Sequence, residues 1–175
     1  GSSIGVIVGL ASGYLSGWVD LLFHRITDIL QALPLLVLAL VMTAALGPTL
    51  PNVIIAIAIP LSPTVARVIR ANTLALREQP FVEAAKSLGL SHRRILLRHI
   101  IPNAIGPIVV YATLTIPSVM LFEATLSFLG LGVQPPYSSW GILIKDGADR
   151  MLSNPRLLIF PSIFFITTLL SLNFL

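Results

Sequence analysis

Apolar residues fall into five long runs, at 4–18, 33–46, 53–69, 101–129 and 157–175. A membrane-spanning helix needs about 20 mostly apolar residues, so the pattern predicts an all-α, polytopic transmembrane helix bundle with about five spans. The first run carries Gly5, Gly9, Gly13 and Gly17, one glycine every fourth residue. Glycines four apart share one helical face and let a second helix approach closely. That face is expected to receive a helix of a partner subunit. The third run contains Pro60 and Pro63, and the fourth Pro107 and Pro117. Prolines inside a span free carbonyls that neighbours or a water-lined cavity must satisfy. Pro60, Pro63 and Pro117 are therefore candidates either for lining a pathway or for packed bends.

Three polar segments punctuate these runs. Asp20, His24 and Asp28 are spaced i,i+4, which places them on one face of a short amphipathic helix that also carries Arg25. Residues 130–155 read as loop, with Pro135-Pro136 and Ser138-Ser139-Trp140-Gly141. The third segment is basic: Arg67, Arg70, Arg77, Lys86, Arg93, Arg94 and Arg98 are seven of the eleven Lys and Arg residues, against only Glu78 and Glu83. Within it Pro80 suits the first turn of a helix, Gly89 suits a left-handed helix end, and Ser91 suits the N-cap of a second helix. The prediction is a helix–glycine–helix loop at about 71–100, with Arg93, Arg94 and Arg98 toward lipid headgroups and Ile95, Leu96 and Leu97 packed inward. The small Ala84 and Ala85 allow close approach by another protein, and Glu83 supplies a charge for it. The same residues also suit an interfacial helix held to anionic lipid by its arginines.

Composition sharpens this picture. The 175 residues are 55% hydrophobic and 10% charged, against about 25% charged in soluble domains. The net charge of +4 sits beside apolar runs, which points to topology and not to nucleic acid. By the positive-inside rule the basic loop is cytoplasmic, and the loop at about 130–156 is then external. Counting outward, the chain would begin outside at a helix, so a further span is expected before residue 1. Cysteine is absent, there is no Walker phosphate loop or zinc-protease motif, and the histidines are scattered. No cofactor or metal site is expected on this chain.

Glu123 is the one acid within the fourth run. Charge at mid-bilayer costs about 2.5 to 3.5 kcal/mol, but a helix continuing from Pro102 would carry Glu123 about 30 Å along. It is read as a polar anchor near the external surface, with substrate contact as the alternative. Glu123 and Ser127 also share an i,i+4 step, the nearest this chain comes to an intramembrane catalytic pair, yet no embedded histidine stands by as a base. A passive channel or scaffold would leave the asymmetric basic loop unexplained.

Glu83-Ala84-Ala85, three residues, Gly89, and a proline thirteen residues later at Pro102 resemble the EAA loop of type I ABC-importer permeases. His99 and Ile101 depart from the general pattern, which has isoleucine and leucine there. Leu96-Leu97-Arg98-His99-Ile100-Ile101-Pro102-Asn103 is instead similar to the dipeptide, oligopeptide and nickel branch. So are Trp18-Val19-Asp20 with Arg25 and Asp28, the block at 126–136, and Trp140-Gly141. The resemblance covers the whole chain and implies a single permease domain over 1–175 with the type I importer fold. It implies a homologous partner permease, two cytoplasmic ABC ATPases that bind ATP and magnesium, and an extracytoplasmic solute-binding protein. All would sit in or at the inner membrane of a bacterium or archaeon. Glu83, Ala84, Ala85, Ser87, Leu88, Gly89, Leu90 and Ser91 would couple to the ATPase. Peptides are the implied cargo, with nickel chelates, glutathione or other solutes as alternatives. The chain itself is not expected to be an enzyme.

Overall fold

A computed structural model describes residues 2–15, 17–134 and 136–174 of the chain. Every regular element among them is helical: α1 Ser2–Leu15, α2 Trp18–Gln31, α3 Leu35–Leu46, α4 Leu50–Arg77, α5 Pro80–Ser87, α6 His92–Ile95, a π-helical turn Leu96–Ile100, α7 Ile101–Phe128, α8 Trp140–Asp149 and α9 Arg156–Asn173. Pro135, part of the 126–136 block, lies outside the described residues, as does the side chain of Val19.

Among the described residues three helices are long and apolar enough to cross a membrane: Leu50–Arg77, His92–Phe128 and Arg156–Asn173. A fourth span results if α2 and α3 form one broken span. This is fewer than the five that the apolar runs suggest. The reason is length: the 12 residues of α3 rise only about 18 Å, against a hydrocarbon core of about 30 Å. α1 is likewise a shorter apolar helix. α4 continues to Arg77, so residues 71–77, expected in the loop, are helical.

The chain divides into two compact units, one of residues 1–33 and 59–112, the other of 34–58 and 113–175. In the first, α1 lies directly against α4. A methyl group on Gly5 would meet the Ser62 carbonyl at 2.7 Å, on Gly9 the Ala66 carbonyl at 2.6 Å, and on Gly13 Thr73 Cβ at 2.8 Å. The glycine face is thus filled by a helix of the same chain and not by a partner subunit. Gly17 does not belong to it: its φ of 74° makes the turn into α2, with nothing close to it. Both Pro60 and Pro63 are buried in this unit. Pro63 lacks the N–H that would bond the Ile59 carbonyl, and the Ser62 hydroxyl donates to that carbonyl instead, at 2.8 Å.

In the second unit Ala39, Val53, Ile57, Leu126 and Val133 form a buried cluster, with Leu40 and Val119 against it. Pro117 is buried here too. Residues 140–149, expected as loop, form α8. Ser139 caps it by accepting a hydrogen bond from the Ile142 N–H at 3.4 Å. Its glycines serve close approach: a Cβ on Gly141 would collide with the Ala124 carbonyl, and one on Gly147 with the Leu157 carbonyl. Trp140 packs on Phe165 of α9, ring centroids 6.3 Å apart. Among the described residues no buried side-chain polar atom lacks a hydrogen-bond partner, the condition a bilayer imposes.

In the full-length subunit, Gly9→Leu or Gly13→Leu should push α1 off α4 and destabilise it by 3 kcal/mol or more, by the upper range of overpacking (about 1 to 3 kcal/mol) plus backbone collision. Gly106→Ala, at a position with open space around it, should be tolerated. Yield of folded subunit and its resistance to trypsin in membranes would measure both.

Candidate functional site

α4 ends at Arg77, and after Glu78 and the N-cap Gln79, Pro80 opens α5 at its first position. Val82 and Ala85 turn inward and are buried, at 0% and 4% exposure. Glu83, Ala84, Lys86, Ser87 and Leu88 are exposed. Leu88, at 80%, is a large apolar side chain held almost wholly free at the tip. Phe81 is also exposed, so Phe81, Ala84 and Leu88, spaced i, i+3 and i+7, make a continuous apolar ridge along α5. Sequence reasoning had omitted Phe81, although its spacing from Leu88 was the available signal.

The turn after α5 is set by Gly89, whose φ is 73°. The Leu90 N–H donates to the Ala85 carbonyl at 3.2 Å and the Gly89 N–H to the Lys86 carbonyl at 2.9 Å. These are the paired bonds of a Schellman ending, which requires a left-handed residue at that place. Ser91 takes the extended N-cap conformation before α6, but its side chain makes no capping bond. Beyond it Ile95 and Ile100 are buried while Arg93, Arg94, Arg98 and Leu97 are exposed. Leu97 therefore does not pack inward as expected, because two residues on from buried Ile95 it lies about 200° around the helix; the wide turn at Leu96–Ile100 places the next buried position at Ile100. An open cleft of about 630 Å³ lies beside α5, lined by Leu74, Arg77, Glu78, Glu83 and Lys86.

Arg67 and Arg70, attributed to this loop, have partners on α2. Arg70 forms a two-pronged pair with Asp20, Nε to Oδ1 at 2.5 Å and Nη2 to Oδ2 at 2.6 Å. Arg67 donates to Gln31 Oε1 at 2.5 Å and lies 3.9 Å from Asp28. His24 stands 3.7 Å from Asp20. The polar face of α2 thus serves α4, and its apolar residues Trp18, Leu22 and Ile29 face outward.

In the second unit Glu123 Oε1 accepts a hydrogen bond from the Ser127 hydroxyl at 2.6 Å. It lines an open cleft of about 220 Å³ with Ser138, Ser139, Trp140 and Leu143, at the start of α8. A carboxylate near a helix N-terminus is electrostatically favoured. No cluster able to hold a metal ion occurs among the described residues.

Residues 5–175 match the family described as binding-protein-dependent transport system inner membrane component. The chain belongs to this family. It is 44% identical over 173 residues to the oligopeptide transport system permease protein OppC of Haemophilus influenzae, covering 99% of this chain and 56% of that protein. It is 44% identical over 175 residues to the glutathione transport system permease protein GsiD of Escherichia coli, covering all of this chain and 58% of the relative. The corresponding protein of Pectobacterium atrosepticum is 40% identical, over the same shares. The chain thus spans a little over half the length of these bacterial relatives. The family is one of transport-system membrane components.

Loss of the two-pronged pair should weaken the first unit. Arg70→Met leaves the half-buried Asp20 carboxylate without its main partner and should lower stability by about 2 kcal/mol. Exchanging the charges, Asp20→Arg with Arg70→Asp, should recover part of it. Thermal unfolding of the purified full-length subunit would read both.

Proposed function

We propose that this chain is the membrane-spanning part of a permease subunit in an ATP-driven importer of peptides. With a homologous partner permease it forms the translocation pathway. Two cytoplasmic ATPases bind ATP and magnesium, and an extracytoplasmic binding protein delivers the cargo. The observation that carries the reading is the tip of α5, where Phe81, Ala84 and Leu88 stand exposed beside Glu83 on a helix ended by a left-handed glycine. An exposed apolar ridge rimmed by charge marks a surface for another protein, and in this family's membrane component that protein is the ATPase. The names of the relatives support peptide cargo. Glutathione, itself a tripeptide, is the second reading, favoured by the named function of GsiD.

Coupling is then mechanical. α5 docks into the ATPase, and the turn at Gly89 fixes the angle at which its motion passes into α6 and the span that follows. Gly89→Val imposes a left-handed penalty of about 1 to 2 kcal/mol and misdirects α5. Glu83→Lys replaces an attraction with a repulsion. Both variants should reach the membrane and join the partner permease. Transport should then fall at least tenfold, with ATP hydrolysis no longer responding to the loaded binding protein. An importance confined to Arg93 and Arg94 would support lipid anchoring instead. Uptake and stimulated ATPase activity in proteoliposomes measure the outcome.

Orientation is checked separately. Cysteines introduced singly as Ser91→Cys and Ser139→Cys should respond oppositely to a membrane-impermeant thiol reagent on intact cells, with only the second labelled. Labelling of the first from outside would reverse the assignment.

A further inference from the structure

One residue touches both roots of the α5–α6 loop. Tyr14, near the end of α1, is buried, at 5% exposure. Its backbone carbonyl accepts a hydrogen bond from Arg77 Nη1 at 3.2 Å. Arg77 is the last residue of α4, just before α5. Its hydroxyl shares a hydrogen bond with Nδ1 of His92 at 3.1 Å. His92 is the first residue of α6, just after the Gly89 turn. The two rings also meet edge to face, centroids 5.8 Å apart with planes at 70°. Leu15, Arg77, His92 and Lys86 of α5 line a small cavity of about 140 Å³ with Tyr14.

We infer that Tyr14 is a positioning residue, a strut between the chain entering the coupling loop and the chain leaving it. The inference rests on the reading of that loop as the coupling element. Three features make it a strut and not an incidental contact. The preceding Gly13 abuts the Arg70 carbonyl and Thr73, so α1 cannot slide along α4. The Tyr14 ring is held by burial, so its hydroxyl has a fixed place to offer. Its two bonds are made by different atoms to chain segments on opposite sides of α5, so one side chain and its own carbonyl set their spacing. Without the strut, α6 and α4 could part while α5 stayed docked, and motion of the ATPase would be lost in the loop.

The test uses the full-length subunit in the assembled importer, reconstituted in proteoliposomes with the binding protein loaded with trialanine. Tyr14→Phe keeps the buried ring and removes the hydroxyl; His92→Phe keeps a ring and removes its nitrogens. Each should lower the trialanine imported per ATP hydrolysed by about fivefold, the effect of one lost hydrogen bond. The double variant should do no worse than either single one, because both remove the same interaction. All three should co-purify with the partner permease and ATPases. Wild-type coupling in Tyr14→Phe, or multiplied losses in the double variant, would overturn the strut. Failure of Tyr14→Phe to assemble would overturn it too, since the hydroxyl would then be a folding element. A wild-type complex that imports neither trialanine nor glutathione would instead strike at the proposed function.

Discussion

α1 and α4 touch through backbone. With no side chain at Gly5, Gly9 or Gly13, the carbonyls of Ser62, Ala66 and Arg70 come to 2.7, 2.6 and 2.9 Å from where a Cβ would stand. In lipid there is no hydrophobic force to hold two helices together, so close packing of this kind supplies the attraction. The contact fixes α1 lengthwise as well as sideways, because each glycine sits opposite a particular side chain: Val65, Ile69 and Thr73 in turn. The order of the first unit follows. Tyr14 is delivered to the roots of the loop, and the turn at Gly17 sends α2 back where Asp20 can meet Arg70.

Much of this was legible in the sequence, and the failures have physical causes. Pro80 and Gly89 gave both ends of α5 correctly because their backbone constraints are local: a fixed φ without a donor, and free access to positive φ. The glycine face was legible as a contact surface, but its partner was not, since spacing along one helix says nothing about which helix lies opposite. Arg67 and Arg70 were read with the basic loop because charge runs are counted along the chain, whereas their partners Gln31, Asp28 and Asp20 are more than 35 residues away. α8 was missed because Gly141 and Gly147 look like loop residues in sequence. They are there for contact with Ala124 and Leu157, which only the fold reveals. The N-cap Ser139 ahead of Trp140, Ile142 and Ile144 was the signal that could have overruled them.

The prolines show how a span keeps its backbone satisfied. Ser62 supplies the bond that Pro63 cannot make, and the Asn103 side-chain amide donates to the His99 carbonyl at 2.6 Å beside Pro102. Buried Thr43 and Thr73 return their hydroxyls to carbonyls one turn back, at 2.8 Å each. Many polar side chains in these helices therefore serve the helix that carries them, while others join helices: Asp20 with Arg70, Gln31 with Arg67 and Thr64, Tyr14 with His92, and the Tyr14 carbonyl with Arg77.

The π-helical turn at Leu96–Ile100 has a consequence for the phase of the helix around it. The buried positions run Ile95, Ile100, Ala104, a step of five followed by a step of four. An ordinary helix advances about 100° per residue, so the wide turn absorbs one residue without letting the buried stripe rotate away. A helical wheel drawn straight through from Ile95 would put His99, about 40° away, on the buried stripe and turn Ile100 about 140° away from it. The extra residue works as a clutch plate in the angular register, keeping the basic, exposed side of α6 and the packed side of the following helix in alignment despite a chain one residue too long.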